Sequence, residues 1–164
     1  MPYGVYLKCD KLKGGCKAKG HEDAIELISV NHSMTLPTSY SQSREGGLSA
    51  GDPKHGPLTI TYELCSASPK INEALNKGQH IDKLEITFDK PGGDALNFFK
   101  ITLEDVVVSR HDLTANSKGD DPSPLQVADL TYNKITHEHN TQDNKGGKSG
   151  TVGSSYSVTQ VAAA

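Results

Sequence analysis

The sequence predicts a mainly β protein, a barrel or sandwich of seven or eight strands with one helix on its flank. Three observations carry this. Apolar residues recur with a period of two in several short runs. Only one stretch, 68–78, has helical spacing between helix start and stop residues. The 16 glycines and 8 prolines, with 34% hydrophobic residues, suit short strands joined by many turns.

The first strand is marked by Tyr3, Val5, Leu7 and Cys9 alternating with Gly4, Tyr6 and Lys8. A second covers 25–30, with Ile25 and Leu27 on one face and Ile28 and Val30 on the other, which predicts a strand between two layers. From 33 to 57 the chain turns polar and rich in Gly, Ser and Pro, a long connection of the kind that carries function. Within it Met34, Leu36, Tyr40 and Leu48 are apolar groups that a solvated loop does not need, so the segment is expected to dock on a partner.

Leu58, Ile60, Tyr62 and Leu64 then share one face, with Thr59, Thr61 and Glu63 on the other. Ser68 suits a helix N-cap, Pro69 the first helical position and Gly78 the stop. Ile71, Ala74 and Leu75 form a narrow apolar stripe between them. Leu84, Ile86 and Phe88 make the next strand, ended by the turn Pro91-Gly92-Gly93. Phe99, Ile101 and Leu103 continue the alternation until Asp105 falls where an apolar residue is due. Val106 and Val108 resume it one residue out of phase, which predicts a β-bulge. After a turn-rich loop at 116–124, Ala128, Leu130 and Tyr132 alternate and the phase slips again at Ile135. A polar segment at 140–150 leads to a last strand with Val152, Tyr156 and Val158 on one face. Residues 161–164 read as a frayed tail.

The 164 residues fit one domain, expected to span 1–164. A net charge of −3, with no basic stripe interleaved with aromatics, argues against nucleic acid as a partner. No run approaches the about 18 apolar residues of a membrane span. The N-terminus MPYGVYLKCDKLKGG has no apolar core or cleavage site of a secretory signal, which predicts synthesis in the cytoplasm and export by another route. Cys9, Cys16 and Cys65, odd in number and irregularly spaced, make a poor disulfide framework.

Candidate chemistry is sparse. His137 and His139 lie two apart on one strand face and would have to recruit Cys9, Cys16 or His21 to hold a metal; the plainer expectation is a solvent-facing pair and no metal. Glu104-Asp105 point to opposite faces, and Asp120-Asp121 suit a turn. His111-Asp112 has no activated serine context, and the glycine pairs lack the phosphate-loop pattern. No catalytic residue and no cofactor are expected.

Several blocks together resemble the Hcp proteins of type VI secretion. They are YLKCDKLKG at 6–14, KGHEDAIEL at 19–27, HGPLTITYEL at 55–64, SPKINEAL at 68–75, GQHI at 78–81, FFKITLEDVVVS at 98–109 and LTYNKITHEHNTQD at 130–143. They follow the family's order along nearly the whole chain. Ala24 and Val30 stand where that family often has tryptophan, and His137 where it has an aromatic. The resemblance implies a two-sheet β-barrel with one flanking helix, assembled as a homo-hexameric ring with a wide channel. Such rings stack head to tail into a tube that a sheath propels out of the cell, with spike-tip proteins and small effectors as further partners. It implies a structural subunit with no C-terminal effector domain, secreted by the type VI system to the extracellular space or a target cell. The segment 33–52 would reach adjacent subunits, making Met34, Leu36, Tyr40, Arg44, Glu45 and Leu48 the candidate interface residues. A monomeric ligand-binding barrel is the alternative, and a small hydrolytic effector a third reading.

Overall fold

The structure, a computed structural model, describes residues 3–40, 47–90, 96–120, 123–142 and 148–158. Its elements in chain order are β1 (Gly4–Lys8), β2 (Ile25–Asn31), β3 (Met34–Thr35), β4 (Thr38–Tyr40), β5 (Leu48–Ala50), β6 (Lys54–His55), β7 (Leu58–Glu63), α1 (Ser68–Lys77), β8 (Ile81–Lys90), β9 (Leu96–Thr114), β10 (Leu125–Gln142) and β11 (Lys148–Ser157).

The main sheet runs β11-β10-β7-β2-β1-β8-β9, and β9 pairs back onto β10. Six strands therefore close into a barrel, which removes the free edges an open sheet would present. Strand β7 pairs with 125–130 of β10, and β11 with 134–142 on the same edge. The long strands β9 and β10 thus serve two sheet sections, one completed by β7 and the other extended by β11. Mainly β content, barrel closure and one flanking helix agree with the sequence.

Period-two burial fills the barrel. Leu7, Ile25, Leu58, Ile60, Tyr62, Leu84, Ile86, Leu103, Leu130 and Ile135 are all almost fully buried. The phase slips at Asp105 and Ile135 are two parts of one feature. Ile81, Val106 and Tyr132 lie side by side across β8, β9 and β10, and so do Leu84, Leu103 and Ile135. Each strand places two polar residues between these layers, so all three change face together. Asp105 sits at the break with φ +52°, bonded by His80 and Asn133. This corrects the expected bulge at Asp105: neither register is displaced there, and the two-against-one bulges of β9 lie at Ser109, opposite β10, and at Phe98, opposite β8.

Two further expectations are corrected. Strand β2 does not lie between two layers. A bulge between Leu27 and Ser29 leaves Ile28 55% exposed and sets Val30 opposite buried Ile60. Ser68 does not cap the helix either. The cap position is Ala67, and the buried Ser68 hydroxyl instead bonds Gln126 and receives the Cys65 N–H. Gly78 does end the helix, at φ +58°, with N–H bonds from Gly78 to Leu75 O and Gln79 to Ala74 O. Helix α1 buries Ile71 and Ala74 in the core cluster and packs along β9.

Candidate functional site

The polar connection is not a formless loop. Strands β2 and β7 are antiparallel neighbours joined by Asn31↔Thr59, and the same hairpin continues outward through Met34↔His55, Thr35↔Lys54, Thr38↔Ala50 and Tyr40↔Leu48. Two N–H bonds, Gly56 to Ser33 O and Gly51 to Pro37 O, stitch it between the short ladders. The Ser39 and Ser49 hydroxyls bond across β4 and β5 at 2.7 Å. The result is an arm projecting from the barrel, whose conformation comes from backbone pairing and not from a core of its own.

The arm carries the predicted apolar residues on open surface. Tyr40 is 80% exposed and its direct cross-strand partner Leu48 is 62% exposed, so the two form one apolar patch. Met34 and Leu36 are half exposed nearer the barrel. Arg44 and Glu45 lie outside the described residues. A pair this exposed contributes little to folding and has its apolar area available to a second surface.

At the arm's root the sequence reading missed a cluster. His32 follows β2, His55 ends the arm and His137 faces them from β10. The hydroxyl of buried Tyr132 meets His32 Nε2 at 2.5 Å and His55 Nδ1 at 3.0 Å. The His55 ring stacks on Tyr156 with centroids 4.5 Å apart, and His137 lies 6.0 Å from both His32 and Phe99. Burial, reinforced by His137 and His55, lowers the His32 pKa; burial and then His55 lower that of His137. Burial pushes the Tyr132 hydroxyl up to about 12. His137 is thus half-buried, whereas His139 is exposed, so the expected solvent-facing pair holds for His139 and not for His137. The available signal was His137 itself, a histidine in an aromatic's place.

The remaining polar groups are structural. His111 Nδ1 donates to Asn72 Oδ1 of α1, and its Nε2 meets the Tyr62 hydroxyl, both at 2.5 Å, so it ties helix to barrel. Asp112 pairs with Arg110, which also holds Asp129. Glu104 faces Lys134, and Asp105 is held as above. Among the described residues no group of three or more His, Cys, Asp or Glu is placed to hold a metal ion. The cysteines are unpaired thiols, with Cys9 buried. A groove of about 470 Å³ between 14–16, 24–28 and 63–65 is lined by Cys16, Cys65, Glu26 and Glu63, with no histidine among its lining residues.

A closed barrel that carries the directly paired, exposed Tyr40 and Leu48 on a backbone-built arm offers a surface for interaction. Comparison with known proteins gives that barrel a family. The family described as "Type VI secretion system effector, Hcp" matches residues 6–139, and the chain belongs to that family. It is 28% identical over 141 residues to the "Major exported protein" of Pseudomonas aeruginosa, covering 81% of this chain and 78% of that one. Its fold matches a solved type six secretion system protein at TM-score 0.89 with 24% identity, each chain covered to 98%. It also matches Hcp1 from Salmonella typhimurium at TM-score 0.79 with 19% identity, again over 98% of both.

Proposed function

We propose that this protein is the subunit of a type VI secretion tube, a homo-hexameric ring that stacks on others through the arm. The protein is made in the cytoplasm and leaves the cell through the type VI system, propelled with its sheath and spike-tip partners. Small effectors travel in the channel, and the barrel itself is structural. One observation carries this reading within the family: the directly paired, exposed Tyr40 and Leu48 on an arm built by backbone pairing. Like head-to-tail contacts generally, a patch on one surface meeting a different surface of the next copy closes into rings or continues into filaments.

The test is deletion of residues 40–48, which removes Tyr40, Arg44, Glu45 and Leu48 together. The barrel, whose ladder excludes these residues, is expected to keep its thermal midpoint, while ring or tube formation weakens. Unchanged assembly in a folded deletion variant would remove the arm from the account.

A further inference from the structure

We propose that the histidines at the arm's root form a proton-operated latch, docking the arm on the barrel when neutral and releasing it when protonated. Its effect on assembly rests on the tube-subunit reading above; the latch itself does not.

The geometry is specific to the root. Side-chain bonds from the two ends of the arm converge on one barrel atom, the Tyr132 hydroxyl, reached by His32 from the start of the arm and His55 from its end. A tyrosine hydroxyl has one proton to give and two lone pairs. With both imidazoles neutral, one donates to it and the other accepts from it. If both imidazoles are protonated, both must donate, and the hydroxyl proton must turn to Gly56 O at 3.4 Å, a long partner. Charge acts in the same direction. His32 lies 6.0 Å from both His55 and His137, so each added proton is repelled by the last.

Among the described residues, no carboxylate acts on His32 or His137 to offset that repulsion. The facing groups are Tyr132 and His137 from β10, Tyr156 from β11 and His55 from the arm, while exposed His139 lies against Phe99. Among the described residues, carboxylates pair with His21 and His80 but with none of the three latch histidines. Because docking lowers the pKa of His32 and His137 below the ordinary 6.5, the released state takes up protons first. Docking is therefore full above about pH 6.5 and is lost progressively as pH falls below it.

Hydrogen–deuterium exchange of the full-length protein tests this, with native mass recorded by light scattering on the same samples. Rates are normalised to the pH-dependent intrinsic rate. Between about pH 7.5 and pH 5, peptides covering 32–40 and 47–57 are expected to exchange at least about fivefold faster, while those of β8 stay protected. His137→Phe and His32→Gln, each removing one proton site, are expected to flatten that response. Equal arm exchange at both pH values in the wild-type protein would overturn the latch. So would an undiminished response in both variants, or an equal loss of protection in β8, which would mean general acid unfolding. An arm that opens at low pH while native mass stays constant would keep the latch and reject the arm's role in assembly.

Discussion

Replacing Leu48 separates assembly from folding most cleanly. Fully burying a leucine side chain is worth about 1.5–3 kcal/mol. Leu48 is still 62% exposed in the isolated chain, so about 1–2 kcal/mol remains to be gained against a neighbouring subunit. Leu48→Ala is expected to weaken each contact by about that amount, roughly five- to thirtyfold in affinity. Leu48→Asp should cost about 3 kcal/mol or more, since it also buries a carboxylate without a partner. Neither change touches the barrel core, so subunit stability should move by only about 0.5 kcal/mol. Sedimentation velocity across a concentration series reads the first quantity, and a thermal midpoint in the same buffer reads the second. Equal assembly of wild type and Leu48→Asp would refute the reasoning. A fall in assembly matched by a fall in barrel stability would refute it equally.

Three further predictions concern the barrel. A Cβ on Gly14 would sit 2.7 Å from Ala24 O and 2.9 Å from Ile25 Cα, backbone atoms that cannot swing aside. Gly14→Ala should therefore cost about 1–3 kcal/mol in urea unfolding, and a neutral result would contradict the close approach drawn here. Burial holds His111 below the ordinary 6.5 against the opposing pull of Asp112, so its contribution is full above that pH and declines as pH falls. Wild type should lose stability below about pH 6.5 more steeply than His111→Gln; parallel pH profiles would show that this histidine does not titrate on unfolding. Cys9 is 7% exposed and burial pushes its thiol up, so maleimide should label Cys16 and Cys65 first. Early modification of Cys9 in the folded protein would contradict its burial.

Most barrel strands were legible because one face meets a dry core and the other meets water, which writes a period of two into Leu58, Ile60 and Tyr62 or Leu84 and Ile86. The exceptions have local causes. The bulge beside Ile28 returned Val30 to the core face, which alternation alone cannot show. The slips at Asp105 and Ile135 were visible singly, yet their coincidence across three strands needed the register. Ser68 looked like a cap because its partner Gln126 lies 58 residues away.

The arm was legible as a segment that needed a partner, through Tyr40 and Leu48, but not as a hairpin. All of β4 and β5 is exposed, so no buried face imposes alternation on those residues. His32, His55 and His137 belong to separate stretches of sequence; the arm's strand pairing sets His32 beside His55, and β10 adds His137. Family membership was legible in the ordered blocks from 6 to 143, a span that nearly coincides with the residues 6–139 that the family matches.

The central claim, a subunit that builds rings through its arm, is tested most directly by negative-stain electron microscopy of the purified, tag-free wild-type protein. Native mass by light scattering on the same sample supplies the stoichiometry. The account predicts six-fold rings with an open centre and the mass of a hexamer or its multiples. Monomers alone, across a wide range of concentration, would contradict it and point to a ligand-binding barrel instead.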